Sequence, residues 1–165
     1  MFEKREGERA LAEDPAISPA DGQVVFIGRI RSAWKKREDC PKNMRAARER
    51  GEQATIEIAL PYRPGIDGLT RASHVIVLTW FHHAPRNLIV QKPRHATEAK
   101  GVFAIRSPVR PNPIGLHIAR LLAVDEETGV LTLDAMDALD GTPVIDIKPY
   151  IPTVDVFADA SFGKD

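Results

Sequence analysis

His82 and His83, Cys40, the run from Arg106 to Gly115 and the carboxylates Asp134, Asp137 and Asp140 are the reactive or ligand-holding groups in this chain. The histidines end a stretch, Ser73 to Phe81, rich in Val, Ile, Thr and Trp. Neighbouring side chains of a β-strand point to opposite faces, so the two rings cannot bind one metal ion as a strand pair. One reading puts one ring at the core rim and the other in solvent; the other is a ligand pocket at the strand's end. Cys40 lies among Lys35, Lys36, Arg37 and Lys42, and cations favour a thiolate. A nucleophile also needs a positioned base, and no spacing supplies one, so Cys40 reads as a free structural or exposed thiol.

Pro108, Pro111 and Pro113 fix their own φ and push the preceding residues towards extended backbone. Ser107, Arg110 and Asn112 are therefore held stiffly. Two guanidinium groups, a hydroxyl and a carboxamide on a stiff loop are preorganised for binding, and Gly115 admits a close neighbour. The alternative is a proline-rich crossover that locks the fold. The three aspartates precede the turn Gly141-Thr-Pro143. Aspartates in turns usually bond their own backbone; otherwise they offer carboxylates or carbonyls to a cationic ligand. A Gly-x-Gly-x-x-Gly loop and a Gly-Lys-Ser/Thr loop are both missing from the sequence, so a doubly wound nucleotide fold, a kinase or an NTPase is unsupported.

The elements that carry these groups are short and mostly extended. Residues 1–20 form a charged arm with at most one short helix around Glu8 to Glu13. Gln23 to Ile30 reads as a strand buried on both sides. Asn43 caps a helix over Met44 to Arg50 that Gly51 closes. Thr55 to Leu60 and Ser73 to Phe81 are strands, residues 82–100 an irregular loop, and Gly101 to Ile105 a short strand. Ile114 to Val124 fits helix or strand. The turn Asp125-Glu-Glu-Thr-Gly129 and the return strand Val130 to Leu133 favour strand. Val144 to Ile147 is the last strand. The pattern predicts a mainly β chain, a single small β-barrel with short helices and irregular loops. Its expected divisions are the arm (1–20), a barrel domain (21–155) and a tail (156–165).

A chain of 165 residues can bury a real core. With 43% hydrophobic and 28% charged residues it is too apolar for a disordered chain. One cysteine allows no internal disulfide and no cysteine zinc cage. The longest nearly unbroken apolar run, Val75 to Phe81, is far short of the roughly 20 residues that span a bilayer. The N-terminus lacks a signal-peptide core. A cytoplasmic protein without membrane or metal partners is expected. The formal net charge of zero hides an asymmetry: +6 over Arg29 to Arg50, +5 over Arg86 to Arg110 and −8 over Asp125 to Asp165. Two basic stretches raise the question of a polyanion partner; the alternative is solvated faces that cancel each other.

Three strings resemble the signature blocks of the TsaA-like (YaeB-like) family in order and spacing. They are Ile27-Gly-Arg-Ile-Arg-Ser32, Gly101-Val-Phe-Ala-Ile-Arg-Ser-Pro-Val-Arg-Pro-Asn-Pro-Ile-Gly115 and Asp140-Gly-Thr-Pro-Val-Ile-Asp-Ile-Lys-Pro-Tyr150. The resemblance runs from about Gln23 to Pro152. It implies a small β-barrel that binds S-adenosylmethionine, usually dimerises, and methylates tRNA at N6 of the threonylcarbamoylated adenosine just 3′ of the anticodon. It also implies cofactor-binding residues: Asn43, Met44 and Arg45; His82 and His83; Arg106; Leu116; and Asp134, Ala135, Met136 and Asp137. Longer members carry a C-terminal domain that this sequence, ending soon after Tyr150, is expected to lack.

A sulfonium cation and an adenine ring suit acidic and carbonyl groups beside apolar contacts. In-line methyl transfer needs positioning above all. The ureido nitrogen is a poor nucleophile, so a base must take its proton; His82, His83 or Asp137 is expected to serve. The basic stretches 29–50 and 86–110 would meet tRNA phosphates. The rival readings are a methyltransferase for another RNA or a small-molecule acceptor, and a non-catalytic RNA-binding barrel.

Overall fold

The computed structural model describes residues 4–17, 21–93 and 96–163. Pro19 of the arm, Arg94 of the second basic stretch and Lys164 of the tail lie outside them. In chain order the strands are β1 (Arg9–Ala10), β2 (Gly28–Arg31), β3 (Ala54–Ile58), β4 (His74–Trp80), β5 (Leu88–Gln91), β6 (Lys100–Gly101), β7 (Ile114–Asp125), β8 (Val130–Leu133) and β9 (Pro143–Pro149). The helices are α1 (Met44–Arg50) and α2 (Pro152–Asp155), with short 3-10 turns between.

Six strands close a barrel in the order β2-β3-β8-β7-β4-β9, and β9 returns to β2. Every neighbouring pair is antiparallel. The predicted mainly β barrel is therefore what the chain forms. In β4 the β-branched Val75, Val77 and Thr79 are buried, while His74, Ile76, Leu78 and Trp80 are half-buried, the period of two that a barrel wall requires. Ile30, Ile56, Val77, Leu131, Leu133 and Val144 meet inside. Each such side chain contributes about 1.5–3 kcal/mol by leaving water. The longest strand, β7, pairs with β4 through its first half and with β8 through its second, across a register shift between Leu121 and Ala123.

Helix α1 has the predicted bounds. The Asn43 side chain accepts a hydrogen bond from the Ala46 amide, and Gly51 takes a left-handed φ of 72° while its amide returns to the Arg48 carbonyl. Elsewhere the structure departs from the pattern. The first barrel strand starts at Gly28, not Gln23: backbone pairing with β3 and β9 reaches back only to Ile27, whose amide donates to the Val144 carbonyl and whose carbonyl accepts from the Ala59 amide. Val24, Val25 and Phe26 are left exposed. The arm forms no helix around Glu8 to Glu13. It lays β1 along β5, tied by the buried Glu8 carboxylate accepting from the Arg5 and Lys92 amides. β5 and β6 in turn occupy part of the expected loop 82–100. The expected strand at Gly101 to Ile105 is mostly a 3-10 turn, Val102–Ala104, whose first carbonyl accepts from Arg110.

Candidate active site

β4 and β7 place Thr79 opposite Gly115 and Val77 opposite His117. Alternation turns Thr79, Gly115 and His117 inward and leaves Leu116 outside, 47% exposed. Gly115 has to be glycine: a Cβ there would lie 2.4 Å from Thr79 Oγ1 and 2.7 Å from His117 Nε2. His117 is 2% exposed. Its Nε2 lies 2.8 Å from Thr79 Oγ1 and its Nδ1 lies 2.5 Å from Asp137 Oδ1. The tautomer that satisfies both contacts accepts the Thr79 hydroxyl proton at Nε2 and donates Nδ1–H to the carboxylate. Phe81 packs edge-on against the same imidazole.

Asp137 belongs to the segment between β8 and β9, which is pinned on both sides of it. Asp134 Oδ1 accepts from the Arg120 amide at 2.8 Å, and Oδ2 pairs with Arg48 at 3.6 Å. The Met136 carbonyl accepts from Trp34 Nε1 at 2.7 Å, and the Ala138 carbonyl from the Ser32 hydroxyl at 2.9 Å. Asp140 accepts from the Ser32 amide and pairs with Lys35 at 2.8 Å. The Lys35 ammonium above all, aided by the Ser32 amide, holds the Asp140 carboxyl below its usual range against the opposing effect of burial. Asp137 is left as the carboxylate with an oxygen to spare: among the described residues its Oδ2 has no partner.

The residues expected to hold a cofactor stand in different relations to this pair. Leu116 adjoins His117, and its carbonyl accepts from Arg106 Nη2 at 3.2 Å. His82 and His83 follow Phe81. The strand has already ended at Trp80, so their rings are not on opposite faces but in contact, tilted at 43° with centroids 3.8 Å apart. Both are exposed. Partial desolvation, His83 and Arg29 together lower the pKa of His82. Ala135 and Met136 are buried, so only their backbone can face a ligand. The Asp134 carboxylate is consumed in joining α1 to β7. Helix α1 lies over the same wall through Arg48, which donates to the Ile118 carbonyl at 2.7 Å. This leaves Asn43 and Arg45 exposed and Met44 half-buried.

Other expectations resolve differently. Arg110 turns back on its own loop, donating to the carbonyls of Val102, Ile105 and Ser107. The Asn112 carboxamide and the Pro111 carbonyl are taken by Arg86. The stiff loop thus serves as a lock, and Arg106 alone of its two arginines reaches the site. Cys40 is half-buried; burial first, then Asp137, pushes its thiol up to about 11, against the pull of Arg50. It is protonated at neutral pH despite its basic neighbours in sequence. Among the described residues no cluster of three or more His, Cys, Asp or Glu could hold a metal ion, and no helix is long and apolar enough to cross a membrane. A cavity of about 620 Å³ lies elsewhere, lined by Phe26, Arg29, Leu60 and Arg63 among others; none of the expected cofactor residues borders it.

His117 is the functional candidate that sequence reasoning passed over. Its signal was present: two residues after Gly115 and one after Leu116, it must face opposite to Leu116. Its partners come from 38 residues before it and 20 after it, a juxtaposition that only the barrel register supplies.

The chain is similar to known proteins in sequence and in fold. The family model described as the tRNA-methyltransferase O N-terminal domain matches residues 29–156. A protein of Methanothermobacter thermautotrophicus named "Probable S-adenosyl-L-methionine-binding protein" is 43% identical over 84% of this chain and 97% of its own length. The tRNA (adenine(37)-N6)-methyltransferase of Escherichia coli is 36% identical over 84% of this chain, which spans 62% of that enzyme. A crystal structure of TrmO superposes with a TM-score of 0.71 at 36% identity, over 87% of this chain and 64% of that one.

Proposed function

The chain belongs to the family of the tRNA-methyltransferase O N-terminal domain, and from that membership we propose that it binds S-adenosylmethionine and methylates N6 of threonylcarbamoyladenosine beside the anticodon of tRNA. The observation that carries the reading is the Asp137 carboxylate. It is held at one oxygen by His117 Nδ1, spare at the other, and partly open to solvent, with its side chain 16% exposed. A fixed anionic oxygen open to solvent fits a sulfonium cation. When bound, the cofactor supplies a methyl group on that sulfonium. Asn43, Met44, Arg45, His82, His83, Arg106, Leu116 and the 134–137 segment bind and orient it. Asp137, or His82 with its lowered pKa, accepts the acceptor's proton.

The functional unit is residues 21–155, working as a cytoplasmic homodimer. Phe103, Ile114 and Leu116 are 78%, 42% and 47% exposed around Arg106, an apolar border that a second copy would cover. The basic stretches around Arg29–Arg50 and Arg86–Arg110 take the tRNA phosphates.

The test has two arms. Calorimetry of the purified protein should show saturable S-adenosylmethionine binding; no binding would leave a non-catalytic RNA-binding barrel. Mass spectrometry of nucleosides from a deletion strain should show threonylcarbamoyladenosine accumulating without its methyl group. An unchanged profile alongside cofactor binding would move the acceptor to another RNA or a small molecule.

A further inference from the structure

We propose that His117 is a positioning residue: it locks the Asp137 carboxylate so that Oδ2 faces the acceptor nitrogen and receives its proton. This rests on the methyltransferase reading above and deepens it. His117 cannot touch a substrate, since it is 2% exposed and both ring nitrogens are engaged. Asp137 can, since its side chain is 16% exposed and Oδ2 has no partner among the described residues. The connection runs from the core outwards: Thr79 fixes the imidazole, the imidazole fixes Oδ1, and Oδ2 is presented at the rim. Gly115 and Phe81 hold the ring on its remaining sides. Burying a histidine and an aspartate is seldom the stabilising choice, because apolar residues of similar volume often do as well. The geometry is that of a preorganised base, whose value lies in not having to reorient during the reaction. His82 and His83 lack any such support: their rings contact each other and the described residues offer them no carboxylate. The step balances. The nitrogen bonds to the methyl carbon, the carbon–sulfur bond breaks with its electron pair left on sulfur, and the nitrogen's proton moves to Asp137 Oδ2.

The experiment compares two substitutions of one side chain. In His117→Asn the amide nitrogen lies near the place of Nδ1 and can still donate to Asp137. In His117→Gln the amide lies near the place of Nε2, so Thr79 keeps its partner and Asp137 loses its own. His117→Gln should lower kcat about 10²-fold with KM for tRNA and calorimetric affinity for S-adenosylmethionine little changed, and His117→Asn should regain at least tenfold of that loss. A purely structural role would make the two variants fail together, in melting temperature and KM as well as kcat. Equal losses, or none, overturn the proposal. Independently of turnover, proton NMR of the ligand-free protein should show a far-downfield imidazole proton that vanishes in both His117→Gln and Asp137→Asn. Its absence from the parent protein also overturns the proposal. If the parent protein transfers no methyl group to tRNA, the reading of function falls and this role falls with it. If the parent is active but the Asn and Gln variants do not differ, only the role of His117 falls.

Discussion

Asp137 reaches two neighbours with opposite consequences. Towards His117 it is a fixed acceptor. Towards Cys40 it is a negative charge that, after burial, helps to raise the thiol to about 11. Asp137→Asn should therefore lower the Cys40 pKa, though not to its ordinary value, since burial remains. Alkylation by iodoacetamide between pH 7 and 10 measures this: the variant should react faster at each pH, and equal rates would show that the carboxylate does not act on the thiol. At this scale the sequence was half legible. The basic neighbours of Cys40 could be read, but a distant aspartate and burial dominate them, and neither is visible in local spacing. Leu116 could be nominated from its string. The inward direction of His117 was legible from its place after Leu116, but its importance was not, because that lies in Thr79 and Asp137, which become its neighbours only when β4, β7 and the β8–β9 segment come together.

The elements reward pattern reading where a single local rule decides. The cap, length and closure of α1 follow from Asn43, the apolar and basic residues after it, and Gly51. The rule fails for Val24 to Phe26, whose alternation matches a strand but which have no partner strand to bury them. The proline-rich segment before β7 was legible as stiff; that Arg86 and Arg110 consume its polar groups was not. Two tests belong here. Gly115→Ala forces a Cβ against Thr79 and His117. It should cost about 1–3 kcal/mol in urea unfolding by overpacking and weaken the Thr79–His117 contact; an unchanged midpoint would mean β4 and β7 can part at no cost. The second concerns the joint between β2 and the segment before β9. Asp140, paired chiefly with Lys35, has a folded pKa below its ordinary 3.8. A depressed carboxyl stabilises above its unfolded pKa and loses that stabilisation as pH falls through the folded value. Asp140→Asn should thus be less stable than the parent at pH 6, and the two should converge as pH drops below about 4. A difference that stays constant over that range would place the effect in packing.

For the whole molecule, formal neutrality conceals a basic part and an acidic part. Counterion release makes contacts with a polyanion steeply dependent on salt. If six to ten phosphates are met, tRNA affinity should fall about 10³- to 10⁵-fold between 50 and 200 mM salt, as fluorescence anisotropy would show. A flat response would turn the basic stretches back into solvated surface. The barrel class was legible because many short alternating stretches punctuated by Pro and Gly leave few other ways to bury both ends of a sheet. The strand order was not, since it depends on which distant edges meet. That order bears on how the protein is made. The barrel is sealed by the pairing of β2 with β9, Gly28 with Val144 and Arg29 with Pro143. On the ribosome β2 emerges more than a hundred residues before its second neighbour, and β4 too must wait for β9. Until nearly the last strand has left the exit tunnel the nascent chain carries open strand edges, available to other chains. Completion of the barrel is thus a late event in the synthesis of each copy, and any premature stop before β9 leaves a sheet that cannot close.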